Sequence, residues 1–248
     1  MATDTSSLLM LLNWMSPTFP IGGFAYSHGL EQAIADGRIA TQDDVESWIS
    51  ALLQAGSGWN DALLFAQCWH GNPNELALAL AGSAERYSET TQLGRNFNIA
   101  AAVWTESASP HPPFGHLLPL EETGEGRSMG LLPPLLEGEG ARRADEGKPV
   151  MAYPVAAGIA CKRMAIPQDQ ALIAYLQGFC AAQVSVAVRL IPLGQTAGLR
   201  VLRNIAPLIS ITVQRALASS LDDLGSNCIA AEIAAMKHET LEPRIFRT

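Results

Sequence analysis

Histidine and cysteine side chains are the groups of this sequence that could bind a metal or act as nucleophiles. The five histidines and four cysteines are His28, His70, His111, His116 and His238, with Cys68, Cys161, Cys180 and Cys228. Catalytic zinc takes three converging protein ligands, often including a His-Glu-x-x-His pair, and that pair does not occur here. Cys68 and His70 are two residues apart, so a helix would point them to different sides. The sequence therefore predicts no preformed metal site and no bound cofactor, and it favours cysteines that act as small hydrophobic residues.

Motifs for acyl or phosphoryl transfer are missing as well. The sequence has no Gly-x-Ser-x-Gly elbow and no visible Cys–His arrangement. The run at residues 194–196 lacks the longer glycine-rich loop and the lysine that would reach a phosphate. It therefore does not form a nucleotide-binding P-loop. The paired acids Asp43-Asp44 and Asp222-Asp223 fall at predicted helix starts, where they cap the helix and favour its dipole. These patterns predict a protein that is not an enzyme.

The composition indicates a helical protein with an acidic surface. Hydrophobic residues make up 48% of the 248 positions and aromatic residues only 6%, which is typical of helices rather than β-sandwiches. The formal net charge of −8 argues against anionic partners such as nucleic acids and membrane surfaces. No basic residue precedes the N-terminal apolar run, and no window of about 18 or more residues is uncharged and apolar. We therefore expect a cytoplasmic protein without a membrane span.

Helical periodicity accounts for most of the chain. Pro17, Pro20 and two glycines force a sharp, apolar corner after the first helix, and Thr41 with Asp44 forms a capping box for a later one. Arg86 on the predicted 83–104 helix is interpreted as part of a solvated face, with pairing to acids or partners as the alternative. After the corner, helical spacing resumes at Phe24, Tyr26, Leu30 and Ile34. The other predicted helices are residues 8–15, a helix capped by Thr41 and closed by Gly56 and Gly58, and residues 59–70, 75–80, 83–104, 153–161, 168–190, 199–203, 207–217 and 227–237. The pattern predicts an all-α fold, a single globular bundle spanning residues 1–248.

Residues 107–149 interrupt this pattern. They contain 7 prolines and 7 glycines in 43 positions, and the sequence from 117 to 126 is nearly repeated from 131 to 140. Because no helical or strand period survives such a composition, we interpret the segment as a low-complexity, mostly disordered insertion between two helices. A functional lid and a linker between two domains are the alternatives.

Three separate segments match sequence signatures of one protein family. Residues 16–31 read Ser-Pro-x-x-Pro-x-Gly-x-Phe-x-Tyr-Ser-x-Gly-Leu-Glu, and residues 189–202 read Arg-Leu-x-Pro-Leu-Gly-Gln-Thr-x-Gly-x-Arg-x-Leu. The ending His-Glu-x-x-x-x-Arg-Ile-Phe-Arg-Thr at residues 238–248 departs from the family pattern only at Ile245 and Thr248. In these segments the chain resembles the UreF family of urease accessory proteins. The insertion at 107–149 is not part of that pattern.

The resemblance implies an all-α, homodimeric and non-catalytic protein. Proteins of this kind bind an accessory protein called UreD or UreH, recruit the GTPase UreG, and deliver nickel to apo-urease by GTP-dependent insertion. A transient nickel contact within the complex, along an internal tunnel whose lining we do not assign, also belongs to that picture. The residues that the resemblance assigns to partner binding are His238, Glu239, Arg244, Phe246, Arg247, Gln195, Thr196, Arg200 and Tyr26.

The residues themselves add to this picture and leave other functions open. The final segment combines arginines with Ile245 and Phe246, which we expect to be exposed, and this composition is enriched in binding hot spots. As an alternative, Gln195, Thr196 and Arg200 would cap a helix and tie down the neighbouring chain. An all-α enzyme acting on a small molecule would show a deep pocket with converging acids or histidines. A ligand-sensing regulator would need a basic helix-turn-helix, which the sequence does not show.

Overall fold

The computed structural model describes residues 5–105 and 150–248, and within these ranges the protein contains helices and no strand. The predicted insertion 107–149, including His111 and His116, lies outside the described residues. The described residues form one compact unit, which bears out the all-α prediction for this part of the chain. Its α-helices are α1 (Thr5–Trp14), α2 (Leu30–Ala35), α3 (Gln42–Ala55), α4 (Ser57–Gln67), α5 (Asn74–Ala79), α6 (Ala84–Thr105), α7 (Tyr153–Arg163), α8 (Gln168–Leu190), α9 (Gly194–Leu217) and α10 (Ile229–His238). Two short 3-10 turns cover Gly23–Ala25 and Leu221–Asp223.

Helix α8 forms the centre of the bundle. It packs against α9, α2, α4 and α7, and it contacts α1 and α3 as well. Its bounds agree with the predicted 168–190 helix because Pro167 occupies the N-cap and favours a helix start. In length and composition α8 is the one described helix that could cross a membrane, and 56% of the window that meets this test is buried inside the protein. The expectation that no such window exists was therefore wrong for α8, although a buried core helix has the same composition.

Aromatic side chains fill the core on one side of α8. Phe97 of α6 meets Trp14 of α1 edge-on, with ring centroids 5.5 Å apart. Tyr153 of α7 lies 5.3 Å from Tyr175 of α8, which in turn lies 5.1 Å from Phe65 of α4. Burial of such rings, together with their favourable edge and tilted contacts, stabilises the packing of α1, α4, α6 and α7 around α8.

The corner between α1 and α2 depends on glycines. Gly22 and Gly29 have φ values of 80° and 79°, which side chains with a Cβ rarely adopt. A Cβ at Gly29 would lie 2.7 Å from the backbone nitrogen of Ala235 in α10, so the glycine also allows α2 and α10 to approach closely. Tyr26 is buried in this corner, whereas Phe24, predicted to continue the helical apolar pattern, is 68% exposed. Phe24 lies in the 3-10 turn rather than in α2, so the helical spacing does not apply to it.

Helix α9 corrects a predicted break. We expected two helices, 199–203 and 207–217, because proline disrupts a helix interior. The structure instead contains one helix from Gly194 to Leu217 with Pro207 inside it. Pro207 is exposed, and so is Arg203, whose carbonyl would otherwise accept the N–H of position 207, so the missing hydrogen bond falls on an exposed part of the helix where water can replace it. The apolar face of α9 stays continuous on either side of the proline, with Val201, Ile205, Ile209 and Val213 buried.

Candidate functional site

The tail segment, residues 239–248, begins where α10 ends and folds back onto the body of the protein. His238, the last residue of α10, is 0% exposed. Its Nε2 lies 2.9 Å from Oε2 of Glu31 on α2, and its Nδ1 lies 2.9 Å from Oε2 of Glu85 in the first turn of α6. One imidazole therefore joins three helices at the point from which the tail segment departs.

Backbone hydrogen bonds fix the end of the tail segment to α2 and to the α1–α2 corner. The four bonds are from Ile245 N–H to Glu31 Oε1 at 2.7 Å, from Phe246 N–H to Glu31 Oε2 at 2.9 Å, from Arg247 N–H to the Ala25 carbonyl at 2.7 Å, and from Ser27 N–H to the Thr248 carbonyl at 2.7 Å. Glu31 is buried, and its two oxygens satisfy two backbone donors that would otherwise be buried without an acceptor. The corner and the tail segment therefore form one hydrogen-bonded unit.

Side chains of the tail segment attach it to α6. The Arg244 guanidinium pairs with Glu85, whose other oxygen faces His238. The Thr248 hydroxyl lies 3.1 Å from Oε2 of Glu89 and donates to it. Glu239 accepts the first backbone N–H of α6 at 3.0 Å, which is a favourable position for a carboxylate at a helix N-terminus. Acids on one face of α6 therefore hold the tail segment at several points.

Phe246 is the apolar anchor of the tail segment. It is 3% exposed, and the Arg189 guanidinium carbon lies 6.0 Å from the centre of its ring. Ile245, its neighbour, is 74% exposed. The expectation that both apolar side chains are exposed is therefore right for Ile245 and wrong for Phe246. The reason is local, because Glu31 fixes the backbone of both residues so that one side chain points to solvent and the other into the core.

A buried charged cluster lies beside the tail segment. It consists of His28, Arg86 and Glu89: the Glu89 carboxylate is 2.9 Å from His28 Nε2 and 2.7 Å from Arg86 Nη1, and Arg86 also contacts His28 Nδ1. Burial alone would raise the pKa of Glu89, but the Arg86 guanidinium and the His28 ring outweigh it and lower that pKa to about 2. The interpretation of Arg86 as part of a solvated face was therefore wrong, since its charge is buried against an acid.

A second, partly buried acid lies near the cluster on α4. Asp61 accepts a hydrogen bond from the Tyr175 hydroxyl at 2.9 Å. Burial raises the pKa of Asp61, although the nearby Arg86 charge opposes this, and burial with the Asp61 charge raises the pKa of Tyr175 well above its usual value. Asp61 therefore gains a proton more readily than an exposed aspartate does.

A cavity of about 380 Å³ opens beside these groups. Its walls combine the cluster and Asp61 with aromatic side chains that include Trp14, Tyr153 and Phe179. This is the feature that a small-molecule enzyme would require, a pocket with converging acids and a histidine. The side chains of the cluster and of Asp61 are paired within the protein, however. His28 and Arg86 both contact Glu89, and the Tyr175 hydroxyl donates to Asp61.

Comparison with known proteins decides between these alternatives. The sequence model of the UreF family matches residues 39–206. "Urease accessory protein UreF" of Allorhizobium ampelinum is 37% identical over 265 aligned residues, which cover 100% of this chain and 99% of the relative. The chain belongs to the UreF family. "Urease accessory protein UreF 1" of Brucella canis (37% identical, 98% of this chain and 95% of the relative) and "Urease accessory protein UreF" of Mesorhizobium japonicum (38%, 98% and 96%) are similar over almost the same length. UreF proteins are accessory proteins of urease rather than enzymes.

The three UreF-like sequence segments meet in the structure. Residues 16–31 provide Ala25, Ser27 and Glu31, which bond to the tail segment, and residues 189–202 provide Arg189, which lies over Phe246. Each of these contacts joins residues that are far apart in the sequence. The segments that carry the family resemblance therefore build a single structural feature around the tail segment.

The other residues predicted to bind partners divide into exposed and buried ones. Gln195, Thr196 and Arg200 are exposed in the first two turns of α9. No side chain caps the start of that helix, whose N-cap is Leu193, so the alternative capping role was wrong. Tyr26 is buried and donates its hydroxyl hydrogen bond to Gln92 Oε1 at 2.9 Å. The partner contacts of all four residues stay predictions.

The acids of α6 were not predicted from the sequence to belong to the site. Glu85 and Glu89 are four residues apart, so they lie on one face of the helix. This spacing, with Arg86 between them, is visible in the sequence but is also common on solvated helices. What distinguishes it here is contact with His28, His238 and the tail segment, which depends on long-range folding.

Metal-binding groups are sparse in the described part of the chain. Residues 5–105 and 150–248 bring together no group of three His, Cys, Asp or Glu side chains that could hold a metal ion. The thiols of Cys68, Cys161 and Cys180 are buried, and burial raises the pKa of each to about 12. These thiols therefore stay protonated at neutral pH and act as core residues, whereas Cys228 is partly buried.

Proposed function

We propose that this UreF chain acts in urease maturation as a non-catalytic scaffold. In this proposal it binds a UreD/UreH-type accessory protein, recruits a UreG-type GTPase, and promotes GTP-dependent insertion of nickel into apo-urease. It works as a homodimer in the cytoplasm, and it uses neither a membrane nor a nucleic acid. The relatives that cover its full length and carry the name urease accessory protein support the maturation role.

The observation that carries the proposal is the docked tail segment, because it joins all three family segments. The outward side of the tail segment is apolar and basic: Ile245, Arg244 and Arg247 are exposed. Phe24, also exposed, immediately precedes the Ala25 carbonyl that holds Arg247. On a chain with a net charge of −8, such a surface fits a partner that offers acidic and apolar groups. Arginine and aromatic residues are enriched in interface hot spots.

The residues assigned to partner binding then have two roles. His238, Phe246 and Tyr26 are buried and fix the shape of the surface. Glu239, Arg244 and Arg247 lie on its exposed side and contact the UreD/UreH-type protein. Gln195, Thr196 and Arg200 add an exposed patch at the start of α9, close in sequence to the Arg189 that lies over Phe246.

The scaffold acts by coupling and performs no reaction of its own. A GTPase bound to this chain would release nickel only when apo-urease is docked to the same assembly, since binding at one site changes the preferred arrangement at the other. Nickel itself is cargo in this scheme and contacts the chain transiently at most.

A pull-down against a purified UreD/UreH-type protein tests the proposal. Ile245→Ala removes an exposed side chain without disturbing the buried anchor, and we expect it to weaken binding by about fivefold or more, which corresponds to a loss of about 1 kcal/mol of contact free energy. Ile211→Ala is the matched control, because Ile211 is exposed on α9 away from the family segments. A chain that lacks residues 239–248 is expected to lose binding. Unchanged binding by both tail variants would contradict the proposal.

Urease activation in a reconstituted mixture provides the functional readout. Apo-urease, the accessory proteins, nickel and GTP are combined with and without this chain, and urease activity is measured. We expect activation to require the chain and to fall with Ile245→Ala in proportion to the lost binding. Activation that is equal without the chain would refute the scaffold role.

A further inference from the structure

The cavity of about 380 Å³ contains polar groups whose hydrogen-bonding capacity the protein uses only in part. Asp61 accepts one hydrogen bond, from the Tyr175 hydroxyl to Oδ2, whereas a carboxylate can accept several through its two oxygens. Arg86 uses Nη1 for its contacts with Glu89 and His28. Its Nε and Nη2 groups have no partner among residues 5–105 and 150–248. Asp61 and Arg86 both line the cavity, so it borders an unused acceptor and unused donors.

Asp61 and Arg86 carry opposite charges and lie near each other without direct contact. Burial raises the pKa of Asp61, and the Arg86 charge opposes that rise, which shows that the two charges interact through space. Within the described part of the chain they form no ion pair with each other, because the Arg86 guanidinium pairs with Glu89 instead. A site for a cation and a site for an anion therefore border the same space, one on α4 and the other on α6.

The rest of the cavity wall is largely apolar. Trp14, Leu93 and Phe179 are buried residues that line it. Tyr153 adds an aromatic ring and a hydroxyl group that makes no hydrogen bond within residues 5–105 and 150–248. The volume of about 380 Å³ is near the lower end of the range of small-molecule sites, about 300–1,000 Å³. These features fit a small ligand that has an apolar body and a charged end.

We propose that this cavity binds a free α-amino acid with an apolar side chain. The α-carboxylate pairs with the unused donors of Arg86, the α-ammonium pairs with Asp61, and the apolar side chain lies among the aromatic and aliphatic residues of the wall. An amino acid carries its two charged groups on one carbon atom, and this spacing fits two opposite protein charges that are close but separate. The described wall includes no residue of the tail segment, so the site does not depend on docking of that segment.

Both charges of the ligand are needed for this fit. A bound ammonium group favours the ionised form of Asp61 against the effect of burial. A ligand without that group leaves the Asp61 carboxyl without a cation, and a ligand without the carboxylate places an ammonium group near Arg86 with no anion of its own. Loss of one hydrogen bond to a charged group weakens binding by about ten- to a hundredfold. The site goes beyond the scaffold role, because neither partner binding nor nickel transfer requires an amino acid.

Isothermal titration calorimetry on the full chain tests the proposal with four probes. L-leucine carries both charged groups, 4-methylpentanoate lacks the ammonium group, 3-methylbutylamine lacks the carboxylate, and glycine lacks the apolar side chain. We expect L-leucine to bind with a Kd of about 1 mM or tighter and each of the other probes to bind at least about tenfold more weakly. No binding of L-leucine would overturn the proposal. Equal affinity for L-leucine and either singly charged probe would overturn it as well.

Variants place the binding in the cavity. Asp61→Asn keeps the shape of the side chain and an acceptor for Tyr175 but removes the charge. We expect it to bind L-leucine about tenfold or more weakly and 4-methylpentanoate at least as tightly as the wild type, a result that loss of folding would not give. Wild-type affinity of Asp61→Asn for L-leucine would overturn the proposal.

A second pair of variants leaves every charge in place. Ala182 lines the cavity on α8, so Ala182→Leu fills part of the space, and we expect it to lose detectable binding of L-leucine. Ala51→Leu makes the same change at an exposed position of α3 and is expected to bind L-leucine as the wild type does. Thermal unfolding shows whether each variant is folded. Equal binding of L-leucine by folded Ala182→Leu and Ala51→Leu would place the ligand elsewhere and overturn the proposal.

Discussion

Glu31 accepts hydrogen bonds from three donors in and beside the tail segment. Replacing Glu31 measures how much these bonds stabilise docking of that segment. Glu31→Gln keeps the shape of the side chain but turns one acceptor oxygen into an N–H₂ group. The three donors are the backbone N–H groups of Ile245 and Phe246 and Nε2 of His238, at 2.7, 2.9 and 2.9 Å. In the better orientation of the amide, the Ile245 N–H loses its acceptor and the other two bonds lose the assistance of the charge.

The expected cost follows from these bonds. A hydrogen bond to a charged group contributes about 1.5–3 kcal/mol and a neutral one about 1 kcal/mol, so the variant weakens docking by about 3 kcal/mol or more. That corresponds to about a hundredfold more released tail segment. Two of the three bonds end in the tail segment and only the His238 bond joins helices, α10 to α2, so the unfolding temperature of the remaining protein is expected to fall only slightly.

A carboxypeptidase provides the assay, because it trims the chain only when the tail segment is released. When release and docking are fast relative to cleavage, the trimming rate follows the released fraction, so Glu31→Gln should be trimmed about a hundredfold faster. Glu242→Gln is the matched control, since it makes the same chemical change at an exposed position of the tail segment itself. Trimming of Glu31→Gln at the wild-type rate would refute the view that this carboxylate holds the segment.

Two further predictions test the packing and the charges around the site. Gly29→Ala adds a methyl group 2.7 Å from the Ala235 nitrogen at a φ of 79°, whereas Gly37→Ala, with a φ of 71° and open space around it, meets only the strain of the backbone. Chemical denaturation should show both variants destabilised by about 1–2 kcal/mol, with about 1–3 kcal/mol more for Gly29→Ala because α10 must move; equal losses would contradict the close α2–α10 contact. The pKa of Glu89 is about 2 in the folded protein, below its unfolded value of about 4.3, so its stabilisation is present above the unfolded value and is lost as the pH falls toward 2. Glu89→Gln should therefore flatten the loss of unfolding free energy with acid, and an unchanged acid profile would contradict the ionised state.

The helices could be predicted because their signals are local. The capping box of Thr41 and Asp44 is present in the structure, and the predicted bounds of α8 are those observed. Pro207 was misread because a proline interrupts a helix only when its surroundings cannot tolerate the lost hydrogen bond, and exposure of that site is a property of the tertiary fold. A local pattern therefore identified the elements but not how α9 continues through its proline.

The docked tail segment could not be predicted from local patterns. Its arginines, Phe246 and His238 were identified as a functional segment through the family resemblance, yet their contacts are with Glu31, Glu85 and Glu89, more than 140 positions earlier in the chain. The carboxylate of Glu31 begins a short helix, where an acid is already favourable for the helix dipole. The sequence offered no reason to assign it a second role as an acceptor for distant backbone groups.

The kind of contact that holds the tail segment determines how it can work. Phe246 and Thr248 are its buried residues, and most of its other contacts are hydrogen bonds and ion pairs to α2 and α6. Each such bond contributes about 1 kcal/mol net, or about 1.5–3 kcal/mol where a charged group takes part, because the released segment bonds to water instead, while Phe246 adds about 1.5–3 kcal/mol by burial. The conformational entropy lost when the segment is ordered opposes these gains, so the net free energy of docking is a small difference, and a partner that contacts Ile245 and Arg247 shifts it towards the docked form.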